Sequence, residues 1–239
     1  MLCFSGIGGA FNGELGNNSA FIKKGKSLFI IDCGGTVFSR LEKSGLLKDV
    51  ENIYIAITHT HLDHIGSLGD LILYCHHILK GKVSIFFPDK NVIEKFLEIA
   101  GVEKKLYKFH NDISEVIEDK YLGSLKIDFK KTLHVKKINS FGIFIEYDGR
   151  KVYYSGDSKE LKKEIVHMLQ NNEIEAIYQD TFSKDFEGSA HLSFKKLKEI
   201  VPRELRNKVF SMHLDKDLDI NNVISEGFNI VNVDERIKS

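Results

Sequence analysis

Short runs of β-branched and aromatic residues recur along this chain, separated by stretches whose apolar positions repeat at helical spacing. Residues 53–57, Ile-Tyr-Ile-Ala-Ile, read as a buried strand. Residues 19–22 and 28–32 pair as a hairpin with lysines at its turn, and 143–147 with 151–154 form a second across Asp148-Gly149, a strong turn signal. Further strands are predicted over 83–87, 125–133, 176–178 and 209–212. Between them, Val37 and Leu41 mark a short helix ending at Gly45. Ile65, Leu68, Leu71, Ile72 and Cys75 mark another that begins near Asp63. Helices also fit 91–100, 159–169 with Ser158 as N-cap, and 193–200 with Ser193 as N-cap. Strands mixed with helices in this way predict an α/β chain whose sheets are covered by helices.

Chemistry enters where the strand at 53–57 ends. The next residues, Thr58-His59-Thr60-His61-Leu62-Asp63-His64, place four metal-capable side chains within six positions on an exposed loop anchored at both ends in the core. Neutral imidazole and carboxylate are ligands for Zn and for Mn or Fe. Residues 59 and 61 share a side if the strand alternation continues, and 61 and 64 share a face once the chain turns helical. His134, Asp157 and His213 also follow predicted strands, so strand ends bring ligand-type residues toward one edge. His76, His77 and His110 fall outside this pattern and read as ordinary surface or core histidines.

Other tempting motifs fail. Gly6-Ile7-Gly8-Gly9-Ala10 has no helix directly after it, so it reads as a close-approach turn and not as a phosphate cradle. Gly25-Lys26-Ser27 lacks the upstream glycine of a Walker loop, position 20 being Ala. The lysines at 130, 131, 136 and 137 flank His134, where they either lend charge to a phosphate or are simply solvated.

Composition narrows the class. The 239 residues are 42% hydrophobic and 28% charged, the balance of a globular protein. No linker-like tract interrupts them, so one domain over 1–239 is expected. Thirty-four basic residues offset 34 acidic ones, which leaves no global pull toward nucleic acid or an anionic membrane. Apolar runs are too short for a membrane helix, and the first residues lack a signal-peptide pattern. Three scattered cysteines read as reduced thiols, which fits a cytoplasmic location.

The order His-x-His-x-Asp-His at 59–64, then His134, Ser-Gly-Asp-Ser at 155–158, and His213 resembles the metallo-β-lactamase superfamily over nearly the whole chain. That resemblance implies a four-layer αββα sandwich with a two-metal site at one edge. It implies one metal, Zn or else Mn or Fe, on His59, His61 and His134. A second would sit on Asp63, His64 and His213, with Asp157 bridging. Within the superfamily the chain is most similar to the ribonuclease Z and phosphodiesterase branch. The opening glycines with Asn18-Ser19, Asp180-Thr181-Phe182, and Ala190-His191-Leu192-Ser193 carry that likeness. It implies a role for His191 at the scissile phosphate, and it suggests a homodimer. Two departures count against transfer-RNA processing. Only 22 residues separate His134 from Asp157, too few for that branch's RNA-gripping arm, and Gln179-Asp180 stands where His-Glu is usual.

The expected activity is hydrolysis of a phosphodiester, in a small or cyclic nucleotide or at an RNA end, by a water activated between two metals. Asp63 would orient that water, and His191 would contact the phosphoryl oxygen or protonate the leaving group. Two other readings stay open: an ester, thioester or lactone hydrolase on the same fold, and a metal-binding or nucleotide-sensing protein without turnover.

Overall fold

The computed structural model describes residues 2–238 as two mixed β-sheets packed face to face with helices outside, an αββα sandwich. The first sheet takes the N-terminal half. Strands β1 (Cys3–Gly6), β2 (Ser19–Lys24) and β3 (Ser27–Ile31) are joined antiparallel, with α1 (Val37–Lys43) following. Strand β4 (Asn52–Ala56) lies parallel to β3. Next come the one-turn helix α2 (Leu62–Ile65) and α3 (Leu68–His77), then β5 (Val83–Phe86), α4 (Lys90–Ile99) and β6 (Tyr107–His110). The strands lie in chain order, β1 to β6. All five residues of β3 are buried, as a strand covered on both faces requires.

The second sheet begins with β7 (Ser114–Asp119), β8 (Gly123–Lys131), β9 (Phe141–Tyr147) and β10 (Arg150–Tyr154), all antiparallel neighbours. Helix α5 (Lys163–Gln170), β11 (Ala176–Asp180), α6 (Phe194–Ile200), β12 (Val209–Met212), α7 (Ile220–Ser225), β13 (Asn229–Ile230) and α8 (Glu235–Lys238) complete the chain. Strands β10 to β13 are parallel. Side chains tie the sheets together at both edges. Asn18 Nδ2 donates to the Tyr154 hydroxyl (2.7 Å), while Asn52 Nδ2 and the Tyr54 hydroxyl donate to Asp119 Oδ2 (2.9 and 3.0 Å).

The predicted strands all form, and the Asp148-Gly149 turn has positive φ at both residues (54° and 72°), the twist-compatible geometry of a tight hairpin. Four strands, β1, β6, β7 and β13, went unpredicted. Two helices differ from expectation. The helix expected from Asp63 onward is broken after α2, because Ser67 turns aside to bond the β3–α1 loop and the start of α1: its N–H donates to Cys33 O (3.0 Å) and its hydroxyl accepts from Phe38 N (3.1 Å). Helix α5 starts at Lys163, not 159, and Ser158 is not its cap. The Ser158 N–H is instead held by Asp180 Oδ2 (3.0 Å), which keeps the chain extended past the site. Ser193 does cap α6, accepting from Lys196 N at 3.2 Å.

Candidate metal centre

Parallel strands leave their carboxyl ends at one edge of a sheet, and loops there converge. In this sandwich Asp32 follows β3, His59 follows β4, His134 lies just beyond β8, Asp157 beyond β10, Asp180 ends β11, and His213 follows β12. His61, Asp63 and His64 are carried by the β4–α2 loop and the first turn of α2. All seven sequence-predicted donors meet at this edge, as two clusters whose ligand atoms lie within 4.8 Å of one another.

The first cluster is His59 Nε2, His61 Nδ1, His134 Nε2 and Asp157 Oδ2. His61 Nδ1 lies 3.0 Å from His59 Nε2 and 3.2 Å from His134 Nε2, and Asp157 Oδ2 lies 3.6 and 3.8 Å from the other two nitrogens. The second is Asp63 Oδ2, His64 Nε2, His213 Nε2 and Asp157 Oδ1, with neighbouring separations of 3.2–3.5 Å. Asp157 thus gives one oxygen to each cluster.

The remote nitrogens are equally determined. His64 Nδ1 donates to Asp32 Oδ2 (2.8 Å), and His134 Nδ1 donates to Ala190 O (2.9 Å). Asp32 is itself fixed by the N–H and hydroxyl of Thr58, both at 2.7 Å. Because that hydroxyl donates to Asp32, its lone pair faces His59 Nδ1 at 3.1 Å. Such partners fix the tautomer and aim the other ring nitrogen at a metal. Sequence reading missed Asp32, which looked like a hairpin end. Its φ of +63°, uncommon for a non-glycine residue, turns the carboxylate back beneath the histidine loop.

The donor set fits divalent cations. His64 Nε2 and Asp157 Oδ1 are fully buried without a hydrogen-bond partner, although buried polar atoms are normally satisfied. Charge agrees. Burial opposes ionisation of Asp157, but His213, His64 and His59 hold its carboxyl well below the usual range. Burial would depress His213, but Asp157, Asp180 and Asp63 raise it to about 10. These carboxylates call for positive charge where the nitrogens converge.

His191 stands beside the clusters, with Nδ1 donating to Asp180 Oδ2 (2.7 Å). Burial lowers its pKa, and the Asp180 carboxylate more than compensates, so it is raised overall. Asp180 also lies 3.4 Å from His213 Nδ1 through its other oxygen. The sequence marked Asp180 only by resemblance; its buried place at the end of β11 makes it a clamp for two histidines. His76 and His77 sit on α3 and His110 stacks on Phe86, all away from the clusters.

Above the clusters opens a cavity of about 930 Å³, reached past Phe11, Leu62, Phe182 and His191. Its lysines, Lys184 and Lys216, adjoin Asp215 and Asp217, and Lys184 pairs with Asp217 at 2.6 Å. The lysines around His134 do not line it.

The family model for the anti-Pycsar protein Apyc1 matches residues 1–234. The chain belongs to this family. It is 28% identical over 235 residues to the anti-Pycsar protein Apyc1 of Bacillus phage BSP38, covering 90% of this chain and 88% of that one. It is 26% identical over 225 residues to that of a Paenibacillus strain, covering 90% and 89%. In structure it is similar to the metallo-β-lactamase fold protein YhfI of Bacillus subtilis (TM-score 0.74, 18% identity, 98% of this chain and 95% of that one). It is also similar to a diphosphatase of the PhnP family (0.73, 16%, 97% and 94%) and to the short form of human tRNase Z (0.66, 18%, 98% and 96%). The fold is therefore the metallo-β-lactamase fold. The clustered His and Asp donors of this chain could hold divalent metal ions. Among the described residues no helix is long and apolar enough to cross a membrane.

Proposed function

We propose that this protein is a dinuclear metal-dependent phosphodiesterase acting on a small nucleotide, with a cyclic nucleotide as the favoured substrate. The observation that carries this reading is the shared Asp157. One carboxylate spans two donor clusters 3–4 Å across, beneath a cavity of nucleotide size. His59, His61 and His134 would hold one divalent ion, Asp63, His64 and His213 the other, with Zn, Mn and Fe all suited to the donors. Bound there, the ions would supply Lewis acidity toward a phosphoryl oxygen and lower the pKa of water toward neutrality.

The chain's own groups do the rest. Asp63 Oδ2 faces the cavity between His64 and His213, where it can orient an attacking water. His191 carries its Nδ1 proton on Asp180, which leaves Nε2 free to bond the phosphoryl oxygen or to protonate the departing alkoxide. Small substrates are favoured over RNA on two grounds. The span between His134 and Asp157 is occupied mainly by β9 and β10, with no arm. The two lysines of the lining stand among Asp215 and Asp217, with Lys184 paired to Asp217, and so offer no continuous positive track for a polynucleotide backbone.

The test is hydrolysis by the metal-loaded chain of a 3′,5′-cyclic nucleotide, set beside a lactone and a thioester. Turnover of the phosphodiester, abolished by Asp63→Ala, is expected. Near-normal turnover in that variant would remove the assignment of Asp63. Preference for the lactone or thioester would overturn the substrate class, and no turnover of any, with metals bound, would favour a sensor. We also propose that the protein is cytoplasmic and works as a single-domain chain, alone or as a homodimer.

A further inference from the structure

The mouth of the cavity holds two large apolar side chains out in water: Phe11 is 93% exposed and Leu62 is 67% exposed. Scattered exposed apolar residues are ordinary, but two bordering one cavity make a patch. Both are held there by their backbone. Leu62 lies between His61 and Asp63, so its main chain is committed to the metal edge. Phe11 sits at the tip of the loop between β1 and β2, which is fastened on three sides. Gly9 N–H donates to Leu214 O (3.0 Å), Asn12 Nδ2 donates to the same carbonyl (3.1 Å), and Asn17 and Thr36 exchange backbone-to-side-chain bonds of 2.8 and 2.9 Å. Gly9 itself passes so close to His213 that a Cβ there would lie 3.1 Å from the ring. The loop therefore rides on the same strand end that carries His213, and the Phe11 backbone keeps a set position relative to the donors.

The buried Asp157 and His213 line the cavity together with Asp63, while its exposed lining includes Phe11 and Leu62 as well as the Lys184–Asp217 pair, and the Phe182 ring packs on His191 at 5.6 Å. A phosphodiester placed on the donors must send its organic substituent outward, past these side chains. We infer that Phe11, together with Leu62, is the wall that recognises the nucleobase, and so sets the preference of this site for base-bearing phosphodiesters over baseless ones. The inference rests on the phosphodiesterase reading above. Covering an exposed aromatic ring with a flat base removes apolar surface from water on both partners and adds ring stacking.

The experiment compares a 3′,5′-cyclic nucleotide with the baseless diester methyl p-nitrophenyl phosphate, using metal-loaded wild type, Phe11→Ala and Phe11→Tyr. The ratio of kcat/KM for the two substrates should fall about ten-fold in Phe11→Ala, mainly through KM for the nucleotide, and Phe11→Tyr should restore it to within about two-fold. An unchanged ratio in Phe11→Ala would overturn the inference while leaving the hydrolase reading intact. So would an unchanged ratio together with a change in sedimentation from dimer to monomer, which would make the ring a subunit contact. If wild type cleaves neither substrate, the phosphodiesterase reading fails and this inference falls with it.

Discussion

Asp32 shows how much of this site lies beyond its ligand atoms. It holds His64 through Nδ1, the nitrogen turned away from the cluster, and through Thr58 it also reaches His59. Asp32→Asn leaves one acceptor oxygen where the carboxylate had two, so the amide NH2 must face the donor at either His64 Nδ1 or the Thr58 N–H. Metal affinity should drop about 10- to 100-fold, the usual scale for losing such a partner, with secondary structure retained. Competition with a chelating dye, alongside circular dichroism, measures this; unchanged affinity would mean that His64 is oriented by packing alone. The contrast with the donors is instructive about sequence. His59, His61, Asp63 and His64 crowd into one segment and announce themselves. Asp32 stands alone after an apolar strand, and only its positive φ and the approach of a loop 26 residues later give it a role. His191 and Asp180 were visible by resemblance, but the clamp between them depends on two loops meeting in space.

At the level of elements, the turn from β3 into α1 decides whether the histidine loop can close. Gly34 lies directly under Asp63, and a Cβ built there would overlap the Asp63 carbonyl and stand 2.8 Å from Asn17 Cβ. Gly35, one residue on, has nothing nearer than Asn17 Oδ1 at 3.7 Å. Gly34→Ala should therefore cost about 1–3 kcal/mol through overpacking, whereas Gly35→Ala should stay within about 0.5 kcal/mol. Thermal unfolding of the two variants checks the pair, and equal Tm values would contradict it. The same element explains a misreading. Periodicity carried a helix straight through 63–75, but the β3–α1 turn captures Ser67 and splits it. Strands with apolar runs were legible. Strand β7, Ser-Glu-Val-Ile-Glu-Asp, was not, because it is an edge strand with only Ile117 buried. Strand β1 was hidden by the glycines that end it.

For the molecule as a whole, the seven donors gather five imidazoles and two carboxylates where none is fully solvated, an arrangement held against desolvation and mutual repulsion among the rings. Ions that bind only the folded state stabilise it by mass action, about 2.7 kcal/mol for a free concentration 100 times Kd. Dialysis against a chelator should lower Tm by several degrees, and added Zn or Mn should restore it. A Tm indifferent to both would show that the clusters bind nothing tightly. The sandwich itself was legible from strand ends carrying ligand-type residues in a familiar order; the cavity above it was not, since it is lined from six separate loops whose approach no periodicity records.

The donors are also divided between the two sheets. His59, His61, Asp63 and His64 belong to the first, while His134, Asp157 and His213 belong to the second. Neither half of the chain owns a complete coordination sphere. A nascent polypeptide would thus have no complete cluster until β10 had emerged and docked on the first sheet, and the second cluster would wait further for β12 and His213, so the two berths for ions would form one after the other during synthesis.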